Sequence, residues 1–252
     1  MNVLQEQVGR LPLIEREFGG RTVVVTGAAS GIGTALTRRL SAVAGSLHLI
    51  DKNPIGELPR NNNSYQIDIA LMREALVDFG EQIPPVDMLV LAAGVTQKDS
   101  TASLSPEEQL AEEQRVFSVN FEGTRNVFES VRDKLKPGAT VVIVSSDLGI
   151  RGDERLSIYA ASKKKLIGWG QEMARKYQDI RFVIVAPGPV DTPLFRYGKS
   201  PETIERIENA VGIMKPEECA EDILNVAVNK EEFPSGVIVT IYKRGGIQKV
   251  TT

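Results

Sequence analysis

"RTVVVTGAASGIG", residues 21–33, carries an apolar, β-branched run directly into three glycines, Gly27, Gly31 and Gly33. Val23 to Val25 show no alternation of polar with apolar residues, so the run reads as a strand covered on both faces. The segment behind it, "GTALTRRLSAVA" from Gly33 to Ala44, has helical period. Strand, glycine turn and helix in that order make a place where an anion can meet a helix N-terminus. Gly27 permits the tight turn, Gly31 lets main-chain N–H groups approach a pyrophosphate, and Gly33 lets helix and strand pack closely. Ser30 and Ile32 sit inside the same turn. A glycine pattern alone matches many plain turns; its place between strand and helix is what gives it weight.

The alternation continues outward from this stretch. "LHLID", "DMLVLAAG", "TVVIVSS" and "RFVIVAPG" are further short apolar runs, separated by longer segments of helical period. Uniformly apolar strands alternating with helices predict an α/β fold, a doubly wound parallel sheet with helices on both faces. One helix is predicted through Phe117, Phe121, Thr124, Phe128, Val131 and Leu135. A second runs through Tyr159, Lys163, Leu166, Gly170, Met173 and Tyr177, and a third from Pro216 to about Val228. No repeat or linker divides the chain, so residues 21–252 read as one domain preceded by an extension, residues 1–20, whose packing partner the sequence does not name.

"LHLIDKNP" ends the second strand on Asp51, eighteen positions after Gly33. An acid roughly 20 residues beyond such a turn can take hydrogen bonds from both hydroxyls of an adenosine ribose, and it repels a 2′-phosphate. That reading favours NAD over NADP; the competing one is that Asp51 merely begins the turn "DKNP". Lys52, beside it, is a cation that can partly tolerate the extra phosphate. His48, the only histidine, reads as a packed or edge side chain, and a lone histidine makes no metal site.

Thirty basic residues nearly balance 33 acidic ones, so no net field favours nucleic acid or an anionic membrane. The single cysteine, Cys219, falls on an amphipathic helical pattern and reads as packed. The first twenty residues lack the apolar run of a signal peptide, and no segment reaches the length of a membrane span. A soluble protein of a reducing compartment, the cytoplasm, is the expectation.

"SIYAASKKK", residues 157–165, places Tyr159 and Lys163 four apart on one helical face. A phenol titrates near ~10, and a neighbouring ammonium favours its ionised form, so the pair suits general acid/base work. Taken by itself, the spacing fits better a ring that packs while the lysine reaches for water.

The order of these pieces resembles the short-chain dehydrogenase/reductase family, in its compact single-domain branch, from about Arg21 to Gly246. The motifs are "TGAASGIG", Asp51, Asp68 in "QIDIA", "LAAG" from Leu91 to Gly94, Asn120 in "VNFEG", Ser146 in "VVIVSSDLG", "YAASK" and "APGPVDTP". Ser146 is chosen over Ser145 because it lies three before Gly149 and thirteen before Tyr159. The resemblance implies a Rossmann-type fold and an NAD(P)-dependent oxidoreductase that interconverts a secondary alcohol and a ketone. It implies a catalytic set of Asn120, Ser146, Tyr159 and Lys163. In that set Ser146 holds the substrate oxygen, Tyr159 exchanges its proton, and Lys163 holds the nicotinamide ribose and depresses the tyrosine pKa. Asn120, at a helix kink, frees its carbonyl for a water. Asp68 and Ile69 flank the adenine, Ala92, Ala93 and Gly94 wall it, and Pro187, Gly188, Val190 and Thr192 cross the nicotinamide. Leu148, Leu194 and Tyr197 join Ser146 and Tyr159 at the substrate, with a lid from Leu194 to about Met214. Charges in "RGDER" suggest a compact, polar substrate. Family members commonly form homodimers or homotetramers; a catalytically silent nucleotide-binding scaffold is the alternative function.

Two departures stand out. Leu91 and Ala92 occupy places where the family usually has asparagines, which implies a lost hydrogen bond between central strands. "YKRGG" puts Lys243 and Arg244 where the family has an acid before two glycines.

Overall fold

The valine run of the opening stretch forms β1 (Thr22–Thr26), with Val23, Val24 and Val25 fully buried, as a strand covered on both sides must be. The computed structural model describes residues 14–56, 62–97 and 104–250. Seven further strands follow: β2 (Ser46–Asp51), β3 (Asn62–Gln66), β4 (Val86–Leu91), β5 (Leu135–Val144), β6 (Arg181–Pro187), β7 (Ile238–Tyr242) and β8 (Gly246–Lys249). They make one sheet in the order β3-β2-β1-β4-β5-β6-β7-β8, parallel throughout except for β8, which runs antiparallel to β7.

Helices cover both faces. Residues 14–18 form α1, followed by α2 (Gly31–Ser41), α3 (Arg73–Gln82), α4 (Pro106–Phe117), α5 (Thr124–Val131), α6 (Leu148–Arg151) and α7 (Ser157–Lys176). Beyond β6 come α8 (Pro193–Arg196), α9 (Pro201–Val211) and α10 (Pro216–Val228). One core, with Leu36 and Leu40 of α2 and Ile223 and Leu224 of α10, packs on one face of the sheet. The other, with Phe79, Phe128, Trp169 and Phe182, packs on the opposite face. β1 pairs with both β2 and β4, so the winding reverses there, and a crevice opens beyond the carboxyl ends of those strands.

The structure bears out the doubly wound α/β architecture and places the third helix where expected, with Pro216 as its first residue. It corrects three details. The stripe from Phe117 to Leu135 is not one regular helix: α4 passes through a π-helical segment, Ser118–Gly123, into α5, and Leu135 already belongs to β5. β3 escapes the apolar pattern because "NNSYQ" is a partly exposed edge strand, which pairs through its backbone rather than its side chains. Of the extension, residues 1–13 lie outside the described residues; in its described part, Ile14 and Phe18 of α1 are buried in the α2/α10 core. His48 is packed, held between Ser46 Oγ at 3.1 Å and the Tyr65 hydroxyl at 3.2 Å, and burial lowers its pKa. Cys219 is fully buried.

Candidate active site

The glycine turn sits at the reversal of winding. Gly27 has a φ of 72°, and a β-carbon there would lie 2.8 Å from the Ala93 α-carbon. A side chain at Gly33 would collide with the Gly27 carbonyl oxygen, so α2 can approach the turn only with hydrogen at that position. Ser30 is the N-cap of α2, yet its side chain makes no capping hydrogen bond, and no acid occupies the first turn. The helix therefore presents main-chain donors to the crevice, the arrangement that binds phosphate.

Asp51 closes the far side. Its two carboxylate oxygens accept the Ala29 N–H at 3.0 Å and the Asn53 N–H at 2.9 Å, which fixes the acid against the glycine turn while lone pairs remain for ribose hydroxyls. Gly27, Ser30, Gly31, Ile32, Gly33, Asp51, Asp68 and Ile69 line one elongated cleft. Ala92, Ala93, Gly94, Tyr159, Lys163 and Thr192 continue it. Backbone donors at the turn, a buried carboxylate anchored beside them and the Tyr159 and Lys163 side chains farther along suit a dinucleotide. Pro187, Gly188 and Val190 line the adjoining cavity, which shares Ile32, Tyr159, Thr192 and Leu194 with the cleft.

The bracing bond expected to be missing is supplied from another strand. Thr26 Oγ1, fully inside the protein, accepts the N–H groups of both Ala92 and Ala93 at 3.1 Å. A hydroxyl on β1 thus ties β1 to the end of β4 without a side-chain amide there.

Asn120 lies in the π-helical segment, completely buried. Its Oδ1 accepts the Val95 N–H at 2.8 Å, and its Nδ2 donates to Val95 O and to Ser162 Oγ, each at 2.9 Å. The side chain thereby joins the β4 loop to α7. Its carbonyl already accepts the Thr124 hydroxyl at 2.9 Å, so the kink is a π bulge whose carbonyl is engaged within the helix.

Tyr159 and Lys163 project from α7 into the junction of cleft and cavity, both buried. Ser146 and Tyr159 line the same cavity, with the serine hydroxyl near the phenol. The adjacent serine serves the backbone instead. Ser145 Oγ donates to the Lys163 carbonyl at 2.9 Å, pinning α7 to the end of β5, which leaves Ser146 as the one beside the phenol. Lys163 Nζ donates to Val144 O at 3.0 Å and stands 5.7 Å from the Tyr159 ring centre. Burial draws the ammonium down to about 8. The phenol goes the other way, pushed up to about 12 by burial, with the nearby Ser146 hydroxyl opposing the rise and the Asp147 charge adding to it. Among the causes acting on the phenol, desolvation is the largest, and the Lys163 ammonium stands over the ring.

The second cavity, about 730 Å³, opens from Ser146 and Tyr159 and is walled by Leu148, Leu156, Leu194, Phe195 and Ile207. Arg151, Arg155, Lys199 and Arg206 also line it. Tyr197 does not; it is half exposed and lines an adjoining groove with Thr96, Glu112 and Arg115, which meets the cleft at Gly94 and Leu194.

One polar residue of the site went unread in the sequence. Gln97, fully buried, accepts the Tyr159 N–H through Oε1 at 2.8 Å and donates to Arg155 O at 3.2 Å. No spacing rule points to a glutamine 62 positions away; only the approach of two loops does. Among the described residues no cluster of metal-ligating side chains occurs, and no helix is long and apolar enough to cross a membrane.

The family model for short chain dehydrogenases matches residues 21–202. A 3-oxoacyl-(acyl-carrier-protein) reductase of Thermotoga maritima is 30% identical over 247 residues, covering 88% of this chain and 96% of its own. An uncharacterized short-chain type dehydrogenase/reductase of Sinorhizobium fredii is 30% identical over 241 residues, 88% of this chain but only 43% of that longer protein. The solved structure of a putative NAD(P)-dependent gluconate 5-dehydrogenase of Beutenbergia cavernae, with NADP bound at low occupancy, superposes with a TM-score of 0.77 at 22% identity, covering 88% of this chain and 95% of that one. By sequence match and by fold, this chain belongs to the short-chain dehydrogenase/reductase family of NAD(P)-binding oxidoreductases.

Proposed function

We propose that the protein interconverts a secondary alcohol and a ketone, with Tyr159 as the acid/base and NAD as the preferred dinucleotide. The observation that carries this reading is the meeting of Tyr159, Ser146 and Lys163 where the dinucleotide-sized cleft joins the second cavity. A bound nicotinamide supplies or takes up the hydride. Ser146 holds the substrate oxygen, and Tyr159 gives its proton to that oxygen as charge develops on it, then recovers the proton in the reverse direction. Lys163, with one donor used on Val144 O, has others to offer a ribose at the Gly94 wall. Asn120 and Gln97 hold α7 in place through Ser162 and the Tyr159 N–H.

The NAD preference rests on Asp51, a buried carboxylate at the cleft end where a 2′-phosphate would bring like charge; Lys52 beside it only partly offsets that charge. For the substrate, the apolar walls and the size of the second cavity favour a molecule with an apolar body over the compact, polar one that "RGDER" suggested. Absorbance of reduced nicotinamide, followed against a panel of ketones and alcohols, tests the activity. Tyr159→Phe is expected to cut turnover about 10²-fold or more while leaving dinucleotide binding intact. A panel with no turnover, or a fully active phenylalanine variant, rejects the assignment.

A further inference from the structure

We propose that Asp147 is a positioning residue of this site: its buried carboxylate, clamped by Arg151 and Tyr242, holds the Ser146 hydroxyl and arranges Tyr159 as a proton donor for carbonyl reduction. This deepens the function proposed above and rests on it. Asp147 directly follows Ser146, is 6% exposed and lines the substrate cavity. Its Oδ1 accepts the Ser146 hydroxyl at 3.3 Å, and its Oδ2 accepts Arg151 Nε at 3.0 Å and the Tyr242 hydroxyl at 3.4 Å. Ser146 Oγ also accepts the Leu148 N–H at 3.2 Å.

These bonds set a direction. Before substrate binds, a Ser146 proton turned toward Asp147 leaves only an acceptor lone pair for the nearby phenol, so the chain we infer runs from Tyr159 to Ser146 to Asp147; a bound ketone then draws the Ser146 proton to its own oxygen. A phenolate would break that chain: it needs Ser146 to turn its proton back, and it places a second negative charge beside the carboxylate. The site thus rests with Tyr159 protonated, the form that reduction of a ketone requires. Oxidation of an alcohol, which needs the phenol to accept a proton, is deferred to more alkaline solution. The equilibrium of the reaction is untouched; only the pH at which each direction runs fastest moves.

Other charged groups do not reverse the sign. Lys163 on α7 faces the ring and favours phenolate, Arg151 on α6 partly neutralises Asp147, and Tyr242 on β7 is itself a neutral donor whose pKa is raised by burial and by Asp147. Around the cavity stand Asp153, Arg155, Lys199 and Arg206.

The test is the pH profile of kcat/KM in both directions for wild type, Asp147→Asn and Asp147→Glu. Tyr159 ionisation is titrated in parallel by phenolate absorbance with NAD bound, as a difference against Tyr159→Phe in each background. Asp147→Asn is expected to move both profiles, and the titration, at least about half a pH unit toward acid. Asp147→Glu, which keeps the charge, should stay nearer wild type, and Arg151→Gln, which unmasks Asp147, should move Tyr159 toward alkali. Superposition of Asp147→Asn on wild type, or an equal shift in the glutamate variant, overturns the proposal. The absorbance titration needs no turnover, so it still decides the matter should no substrate be found. If the asparagine variant fails to fold, the direction of the Arg151→Gln shift decides it alone.

Discussion

The side-chain carbonyl of Gln97 accepts the main-chain N–H of Tyr159 at 2.8 Å, so the loop after β4 caps α7 at the residue proposed as acid/base. That N–H belongs to the first turn of the helix, where no intrahelical acceptor exists, and the N-cap Leu156 brings no side-chain bond of its own. Gln97→Leu leaves a buried donor unpaired. Urea denaturation should show a loss of about 1–3 kcal/mol, with kcat reduced more than KM is raised because α7 shifts under Tyr159. Gln97→Glu keeps the acceptor and should lose less.

Dinucleotide choice is expected to turn on Asp51. Asp51→Ser removes the carboxylate facing the ribose and should narrow the NAD to NADP affinity ratio by about tenfold or more, read by thermal shift in paired titrations. Because Asp51 also anchors Ala29 N–H, both affinities should weaken somewhat. Equal stabilisation of the wild type by both dinucleotides would count against the preference.

Two buried groups give stability a characteristic pH dependence. Lys163 titrates near 8 when folded and near ~10.4 when unfolded, so between these values the unfolded chain binds more protons and stability rises with pH. Tyr159, raised to about 12 from its unfolded ~10, keeps its proton when the unfolded chain has lost it, so stability falls above ~10. Chemical denaturation across this range should show the rise disappear in Lys163→Met and the fall lessen in Tyr159→Phe. Parallel curves for wild type and both variants would refute the assigned titrations.

Gly33→Ala is expected to be far more damaging than an ordinary glycine replacement in a helix. An added methyl meets the Gly27 carbonyl, which is backbone and cannot swing away. A destabilisation of about 3 kcal/mol or more, with dinucleotide affinity falling in parallel, is the expected result of thermal and binding measurements.

Much of this was legible in the chain, and the limits have physical causes. The strands β1, β2, β4, β5 and β6 announce themselves because burial on both faces demands unbroken apolar runs, and the glycine turn because its packing tolerates no β-carbon. β3 stays hidden because an edge strand needs only its backbone to pair. The four-residue step put Tyr159 and Lys163 on one face without choosing chemistry over packing; the family pattern supplied their role and that of Ser146. Gln97 and the Thr26 hydroxyl that braces Ala92 and Ala93 were not, since their partners are main-chain groups brought near by tertiary contact. Tyr197 lines a groove beside the cavity rather than the cavity itself, since the sequence gives the reach of a lid but not which way a half-exposed ring turns.

The π-helical segment between α4 and α5 implies a sensitivity to counting. A π turn holds one more residue than the α turn it replaces, so everything on its two sides is offset by a fraction of a revolution. That offset points Asn120 inward at Val95 and Ser162 while Phe117 and Phe121 both lie under the Lys165 ammonium, 5.7 and 4.2 Å from their ring centres. Excising a single amino acid here would rewind the rod by about 100° and swing one of those two groups off its target, whatever the chemistry of the residue removed. At this point the protein is specified by its length as firmly as by its letters.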